Sequence, residues 1–277
     1  MEYRLPPALA ERARAFAETG GVAVEPRLAS TVVLMREPFE AYLIRRVATM
    51  AFAASMYVFP GGGVDPRDSA VTTTDRWADR LGRDEATARA IVCAAVREVF
   101  EESGVLLAGA SHDDLVRDSA ALGADRHALL TGSASLTEVL ARRGLVLRTD
   151  LLTPWARWIT PEASPRRFDT WFFAAALPPG QDATAAPEGF GDHADPGESE
   201  SGAWLRPASA LEAARAGRMT LLPPTAVTLG ELAGHHDVPG ILARRPAITP
   251  RLPKVIVEDG RARLAMPPPG DERPDSS

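Results

Sequence analysis

The segment AVREVFEESGV, residues 95–105, places three glutamates at the end of an otherwise apolar run, IVCAAV. On an α-helix, Glu98, Glu101 and Glu102 fall at positions i, i+3 and i+4, so their side chains project from one face. The residues before them are apolar on all sides, which is typical of a buried helix. These like charges repel one another and lie near the negative end of the helix dipole. The segment therefore predicts a core helix whose last turn needs a positive partner.

Two kinds of positive charge can offset this cluster. The guanidinium group of Arg97 is one, and an exposed acidic patch paired with nearby arginines is the plainer interpretation of these four residues taken alone. A divalent cation is the fuller answer, because Mg²⁺ and Mn²⁺ prefer carboxylate oxygens and leave coordination positions for water and phosphate. Both interpretations stay open on this segment alone.

Composition narrows the class of protein. The chain has 277 residues, of which 45% are hydrophobic, enough for a sizeable core. A formal net charge of −6 argues against a nucleic-acid polymer as partner. No stretch approaches the roughly 20 apolar residues of a membrane span, and the first residues lack a signal-peptide core. We therefore expect no membrane partner and a cytoplasmic location, and Cys93, the only cysteine, excludes an internal disulfide.

Hydrophobic periodicity and turn residues predict alternating helices and strands around the acidic segment. The predicted helices are 7–19, 74–82, 112–122, 135–144, 209–217 and 224–235, together with a helix that starts at Asp84 or Thr87 and ends at Gly104. The predicted strands are 30–37, 40–46, 155–160, 168–177 and 203–207, with a hairpin at 254–266. Two stretches rich in glycine and proline, 58–69 and 178–201, are predicted loops.

The acidic segment also resembles a known motif. RE-V-F-EE-S-G-V, from Arg97 to Val105, resembles REUxEExGU, the second half of the Nudix box, where U is a bulky aliphatic residue. The first half, G-x5-E, is absent from its usual place because position 89 is arginine. Gly62-x5-Asp68 resembles it, with aspartate for glutamate, and 28 residues instead of seven separate the halves. The box is therefore interpreted as split by an insertion.

Further phrases in the same order narrow the resemblance to one branch. They are FPGG at 59–62, AAVREVFEESGVLL at 94–107, WITPEASPRRFDTWFF at 158–173, and E-x5-WL-x-P-x-x-AL at 198–211. Together they resemble the Nudix hydrolases related to the peroxisomal and mitochondrial coenzyme A diphosphatases. The resemblance implies an α/β fold, a Nudix-type α/β/α sandwich with a mixed central sheet and extra helical insertions.

The same resemblance sets the expected domain boundaries. A Nudix domain is expected at 26–266, after a helical extension at 1–25 and before a disordered tail at 267–277. Helical insertions are expected at about 69–89 and 106–150. Dimers are common in the family, so a homodimer is one expected assembly.

The resemblance also implies a reaction. Glu98, Glu101 and Glu102 are expected to bind Mg²⁺ or Mn²⁺, and a metal-activated water is expected to hydrolyse the diphosphate linkage of a small nucleoside diphosphate derivative. Glu98 and Glu102 are expected to be catalytic, and a box glutamate or an acid on a distant loop takes the proton of the water. Glu198 and Glu200 are the loop candidates, and its spacing from the WL pair favours Glu198.

Four more residues receive roles in this scheme. Gly61 and Gly62 are expected to bring main-chain N–H groups close to phosphate oxygens, because glycine adopts backbone angles closed to other residues. Arg97 is expected to buttress the glutamates rather than to touch the substrate. Asp68 replaces the usual glutamate with a shorter side chain, and its role stays open.

Substrate identity is the least determined part of the sequence. YLIRR, ending at Arg46, resembles an LLTxR-like element of the coenzyme A enzymes. Arg45 and Arg46 are therefore candidate ligands for phosphate, although arginines that flank a strand are more often plain surface residues. The signature is partial, because Ser55 replaces a glycine. Coenzyme A or acyl-coenzyme A is therefore favoured over ADP-ribose, a nucleotide sugar or a dinucleotide polyphosphate. A nucleotide sensor without catalysis is the alternative from another class.

Three tryptophans have rings that could stack on an adenine. Trp155, Trp158 and Trp171 lie in predicted strands, where tryptophan more often belongs to the core. Core packing is therefore the preferred interpretation.

Overall fold

The three-dimensional description rests on a computed structural model. It describes residues 3–4, 7–45, 56–71, 76–186, 201–245, 247–258 and 261–266. Several residues singled out from the sequence lie outside these ranges, namely Arg46, Ser55, Glu198, Glu200 and the expected tail at 267–277.

The described chain contains thirteen strands and eight α-helices. The strands are β1 (Tyr3–Arg4), β2 (Arg27–Arg36), β3 (Glu40–Arg45), β4 (Tyr57–Val58), β5 (Gly61–Gly63), β6 (Ala108–Gly109), β7 (Val146–Leu147), β8 (Thr153–Ile159), β9 (Phe168–Ala176), β10 (Ser201–Leu205), β11 (Pro250–Arg251), β12 (Lys254–Glu258) and β13 (Arg261–Ala265). The helices are α1 (Pro7–Thr19), α2 (Trp77–Leu81), α3 (Glu85–Ser103), α4 (Gly123–Leu130), α5 (Leu136–Arg143), α6 (Pro207–Arg215), α7 (Pro223–Leu232) and α8 (Val238–Leu242). Short 3-10 helices occupy Pro66–Ala70, Ala120–Leu122 and Thr149–Leu151.

A mixed sheet of eight strands forms the centre of the described part. Its order is β10-β3-β2-β9-β8-β11, with β4 beside β3 and β5 beside β2. The central pair, β2 and β9, is parallel, whereas β8 and β9 are antiparallel. The other described strands form two small sheets, β1-β13-β12 and β6-β7. The α/β class with a mixed sheet, expected from the sequence, is confirmed.

Alternation along β2 assigns the two faces of the sheet. Val32 and Leu34 point into one apolar cluster, which also contains residues of α3, among them Phe100, and of α5. Val33 and Met35 point into a second cluster, which contains residues of α6, α7 and α8. Side chains in a strand alternate with a period of two, so one strand supplies both cores. The sheet therefore lies between two helical layers.

The helix that carries the acidic cluster has clear boundaries. Asp84 begins α3 by accepting a hydrogen bond from the Thr87 N–H (2.9 Å) on its Oδ1. Gly104 ends it with φ +71°, and its N–H donates to the Phe100 carbonyl (2.9 Å). Glycine is the usual residue for such a left-handed cap. The side chain of Ser30, in β2, donates to the Ile91 carbonyl (2.6 Å) and fixes the middle of α3 on the sheet.

Most predicted elements are confirmed, and the differences have local causes. The predicted helix at 112–122 is wrong, since only Ala120–Leu122 forms a short 3-10 helix. Side chains in this stretch bond nearby main-chain groups instead: Asp118 Oδ1 accepts from the Ala121 N–H (3.3 Å), and Ser111 Oγ from the Asp113 N–H (3.3 Å). Such bonds compete with helix formation. The insertion expected as helical at 106–150 is therefore only partly so.

The stretch 58–69, predicted as a loop, is also more ordered than expected. It contains β5 and most of the 3-10 helix that begins at Pro66, because the glycine run pairs with Ala29, Ser30 and Thr31 of β2. The elements β1, β4, β6, β7, β11, α4 and α8 were not predicted as separate elements. Within the described ranges, no helix combines the length and apolar character needed to cross a bilayer.

Replacing Ser30 with alanine is expected to lower the free energy of unfolding by about 1 kcal/mol, because a buried hydrogen bond between sheet and helix is lost. Urea denaturation measures this change. Ser69→Ala is the matched control, since that exposed hydroxyl bonds only the nearby Pro66 carbonyl (2.9 Å), and it is expected to cost less than about 0.5 kcal/mol. Equal losses in the two variants would contradict the role assigned to Ser30.

Candidate active site

Arg97 is the centre of the charge network at the end of α3. Its Nε and Nη2 donate to the two carboxylate oxygens of Asp68 (3.1 and 3.0 Å), and Nη2 also donates to the Gly63 carbonyl (2.7 Å). Its Nη1 donates to Glu98 (2.8 Å) and to Glu101 (3.2 Å). Burial alone would lower the pKa of Arg97, but Glu98, Asp68 and Glu101 outweigh it and hold the pKa above its usual value. The guanidinium group thus bridges three carboxylates and strand β5, whose three residues are glycines and which we call the glycine strand.

Asp68 is brought to Arg97 by the fold of the glycine-rich segment. Its Oδ2 accepts from the Asp65 N–H (2.8 Å), and Asp65 in turn accepts from the Arg67 N–H (2.8 Å), which forms a capping box around the 3-10 helix. The Asp68 side chain is only 3% exposed. The 28 residues that separate it from Arg97 in sequence leave the two in direct contact. The geometry gives Asp68 the role of an ion-pair partner that orients Arg97.

The carboxylate of Glu98 lies directly against Gly62 of the glycine strand. A Cβ atom built on Gly62 would lie 2.6 Å from each carboxylate oxygen of Glu98, closer than such atoms pack. Glu98 as a residue is only 8% exposed. Burial raises the pKa of its carboxyl group to about 8, against the lowering effect of Arg97. A side chain at position 62 would therefore displace the carboxylate of Glu98.

Glu102 also contacts the glycine strand, at Gly61, the residue before Gly62. The Gly61 N–H donates to its Oε2 (2.7 Å). This main-chain donor, which the sequence predicted to face phosphate, is bonded to a carboxylate in the structure. A side chain at position 61 would collide with Thr31 of β2. The lack of a side chain thus permits close contact of β5 with β2 at Gly61 and with the end of α3 at Gly62.

The fit of these acids to a divalent cation depends on their arrangement and on their chemistry. Within the described ranges, no group of three or more His, Cys, Asp or Glu side chains is disposed to hold a metal ion. Arg97 bonds Glu98 and Glu101, while Glu102 bonds Gly61. The chemistry of the donors does fit, because carboxylate oxygens are the ligands that Mg²⁺ and Mn²⁺ prefer. A bound cation would also stabilise the charged form of the buried Glu98 carboxyl group beside Gly62.

Arg126, on α4, is a neighbour of this site that the sequence did not reveal. Its Nε donates to the Glu101 carbonyl (2.9 Å), and its Nη2 donates to the Thr184 carbonyl (2.9 Å). Burial lowers the pKa of Arg126, while the nearby Tyr42 and Glu102 side chains act in the opposite direction. No sequence motif surrounds it, so only the placement of the insertion against α3 could have identified it.

The three tryptophans that could have stacked on an adenine are core residues. Trp155 and Trp158 are 4% exposed and Trp171 is 1% exposed, so none offers a ring face to a ligand. The indole N–H of Trp155 donates to Glu231 (2.9 Å).

Arg45, one of the two candidate phosphate ligands, is the last residue of β3, and its side chain is exposed.

Comparison with known proteins places this geometry in a family. Residues 83–232, just over half of the chain, match the family model for the NUDT19 Nudix domain. The chain belongs to this Nudix family. The match includes the whole of α3 with its acidic end and confirms the resemblance drawn from the sequence. The matched residues begin after Gly61, Gly62 and Asp68. The assignment of these three residues to the site therefore rests on their contacts in the structure.

Two curated relatives and one solved structure illustrate the similarity. A putative Nudix hydrolase 7 from Caenorhabditis elegans is 28% identical over 76% of this chain and 61% of its own length. The acyl-coenzyme A diphosphatase NUDT19 of Xenopus laevis is 24% identical over 70% of this chain and 60% of its own length. The chain therefore spans about 60% of the length of these relatives. A Nudix hydrolase from Alicyclobacillus acidocaldarius shares the fold, with TM-score 0.63, 23% identity and coverage of 81% and 98% of the two chains.

The pKa of Glu98 predicts how the metal-free Nudix domain responds to pH. Between the ordinary value of 4.5 and about 8, the folded state keeps a proton that the unfolded chain releases. The contribution of this group to stability is therefore complete below pH 4.5 and is lost as the pH rises towards 8. Glu98→Gln does not titrate, so the wild type is expected to lose stability relative to this variant as the pH rises.

Urea denaturation in the presence of a chelator measures the difference at several pH values across that interval. Glu85→Gln is the control, because Glu85 is an exposed residue in the first turn of the same helix. A difference between wild type and Glu98→Gln that stays constant with pH would contradict the assigned pKa.

Proposed function

We propose that the protein is a metal-dependent hydrolase that cleaves the diphosphate linkage of a nucleoside diphosphate derivative, with coenzyme A or an acyl-coenzyme A as the favoured substrate. The observation that carries the proposal is the junction of β5 and α3. There the glycine strand contacts Glu98 and Glu102, and Arg97 bridges the acids to Asp68. Membership of the Nudix family supports the reaction class.

Glu98, Glu101 and Glu102 are the residues that would hold Mg²⁺ or Mn²⁺. A bound ion would neutralise phosphate oxygens and lower the pKa of the attacking water. The protein's own part is to keep the three carboxylates on one helical turn beside β5. Arg97 performs this by its bonds to Glu98 and Glu101, and Asp68 keeps Arg97 in place. The negative end of the α3 dipole adds to the attraction for a cation.

A carboxylate must accept the proton of the attacking water. Among the described residues, Glu102 is the candidate that we favour, because the Gly61 N–H holds its Oε2 in a fixed position beside the glycine strand. Glu198 and Glu200, in the sequence that precedes β10, are the alternative acceptors. Either choice leaves the glutamates of α3 as the cation ligands.

The favoured substrate rests on similarity and on one element of sequence. The Xenopus relative is named as an acyl-coenzyme A diphosphatase, and the matching family model carries the same NUDT19 label. The sequence YLIRR supplies two candidate phosphate ligands, Arg45, which ends β3, and Arg46, which follows it in the sequence. The proposal includes a cytoplasmic location, from the composition, and a homodimer, from the family resemblance.

Glu102→Gln is expected to lower the turnover number at least about 100-fold, because a metal ligand and candidate proton acceptor loses its charge. Its amide oxygen can still accept from Gly61, so the fold is expected to remain intact. Turnover of coenzyme A with Mg²⁺ or Mn²⁺, together with thermal unfolding, measures both effects. Glu85→Gln, at the other end of the same helix, is the matched control and is expected to behave like the wild type.

Product analysis distinguishes the substrates. Release of 4′-phosphopantetheine and 3′,5′-ADP identifies coenzyme A, whereas AMP from ADP-ribose identifies the alternative substrate class. Stabilisation of the wild type by a nucleotide without any turnover would overturn the enzymatic proposal in favour of a sensor. Full activity of Glu102→Gln would contradict the site itself.

A further inference from the structure

The C-terminal turn of α3 is held from outside by groups of the insertion and of the segment after β9. Helix ends expose carbonyl groups that need partners from elsewhere. The Glu101 carbonyl accepts from Arg126 Nε (2.9 Å), and the Ser103 carbonyl accepts from the Thr184 N–H (2.8 Å). Arg126 also donates from Nη2 to the Thr184 carbonyl (2.9 Å) and from Nη1 to its hydroxyl group (3.3 Å). The guanidinium group of Arg126 therefore connects the last turn of α3 to the segment around Thr184.

The packing around Arg126 is close. A Cβ atom on Gly104 would lie 2.9 Å from its Nη1 and 3.3 Å from the Thr184 hydroxyl oxygen. Gln181 holds the same segment a few residues earlier, through bonds to Leu106 N–H (2.8 Å) and the Leu106 carbonyl (3.0 Å). Arg126 differs from Gln181 because it bonds a residue that carries one of the site's carboxylates.

We propose that Arg126 is a positioning residue for the hydrolysis: its guanidinium fork fixes the last turn of α3 to the Thr184 segment and so holds Glu101 and Glu102 in place beside β5. This inference rests on the function proposed above. Three of the five N–H donors of the guanidinium are committed to Glu101 and Thr184. The group therefore acts through the helix end rather than on the substrate.

The planar fork is the property that the role requires. Arginine can donate to two carbonyls from two different segments in fixed directions, whereas lysine offers a single ammonium group of the same charge. Arg126→Lys thus keeps the charge and removes the bridge. Arg126→Ala removes both. If only the charge of Arg126 matters, the lysine variant should behave like the wild type. If the bridge matters, the lysine variant should behave like the alanine variant.

The experiment compares the wild type, Arg126→Lys and Arg126→Ala. Displacement of groups by about 1 Å is sufficient to slow a reaction 10- to 100-fold, so kcat is expected to fall at least about tenfold in both variants while the KM for substrate changes less than about threefold. Arg148→Ala is the matched control. That arginine lies in the same insertion, and its side chain bonds the Asp114 carbonyl (2.8 Å) and the Asp150 carboxylate, both within the insertion. It is expected to keep the wild-type kcat.

Two measurements without turnover complete the test. Amides 101–104 are expected to exchange hydrogen at least about tenfold faster in Arg126→Lys than in the wild type, since the helix end opens more easily. The same variant is expected to bind Mn²⁺ more weakly, although its charge is unchanged. Arg148→Ala is expected to leave both measurements at the wild-type values.

Wild-type kcat in Arg126→Lys, or unchanged exchange and Mn²⁺ affinity in that variant, would overturn the positioning role. Absence of turnover in the wild type on every diphosphate tested would instead refute the proposed function. In that case hydrogen exchange and Mn²⁺ affinity would still decide whether Arg126 holds the helix end.

Discussion

Crowded negative charge at the end of a buried helix is the constraint on which the site depends. Glu98, Glu101 and Glu102 lie where the helix dipole is also negative, and Glu98 has little contact with water. Such a cluster is stable only when positive groups or hydrogen-bond donors surround it. Arg97 and the Gly61 N–H supply these within the chain. The same demand makes the cluster a natural place for a divalent cation.

The fold meets this demand by joining two distant pieces of sequence. β5 pairs with β2, while Ser30 of β2 bonds the middle of α3, so the glycine strand and the acidic helix are held by the same central strand. The described residues between them include a short 3-10 helix, α2 and the first turns of α3. A long insertion in a loop costs little conformational entropy compared with the contacts it leaves intact. The split motif is thus continuous in space.

The sequence identified the parts of the site that follow from periodicity. The spacing of the three glutamates predicted a shared helical face. The glycine run was expected to bring main-chain N–H groups to phosphate oxygens, whereas in the structure it lies against Glu98 and Glu102. The pairing of Asp68 with Arg97 required knowledge of a contact across 28 residues, which spacing does not provide. Arg126 was invisible for the same reason, because its partners are main-chain carbonyls that accept from any suitably placed donor. The helix predicted at 112–122 was wrong because side chains in this stretch bond nearby main-chain groups.

The most direct test of a cation site at this junction is the affinity for Mn²⁺ of two neighbouring glycine variants. Gly62→Ala would place a methyl group against Glu98, whereas a Cβ on Gly63 meets nothing within 4 Å. Calorimetric titration is expected to show Mn²⁺ binding weakened at least about tenfold in Gly62→Ala, as for disturbed supporting residues of metal sites. Gly63→Ala is expected to bind like the wild type. Equal affinity in both variants, or no binding by the wild type, would contradict the central claim.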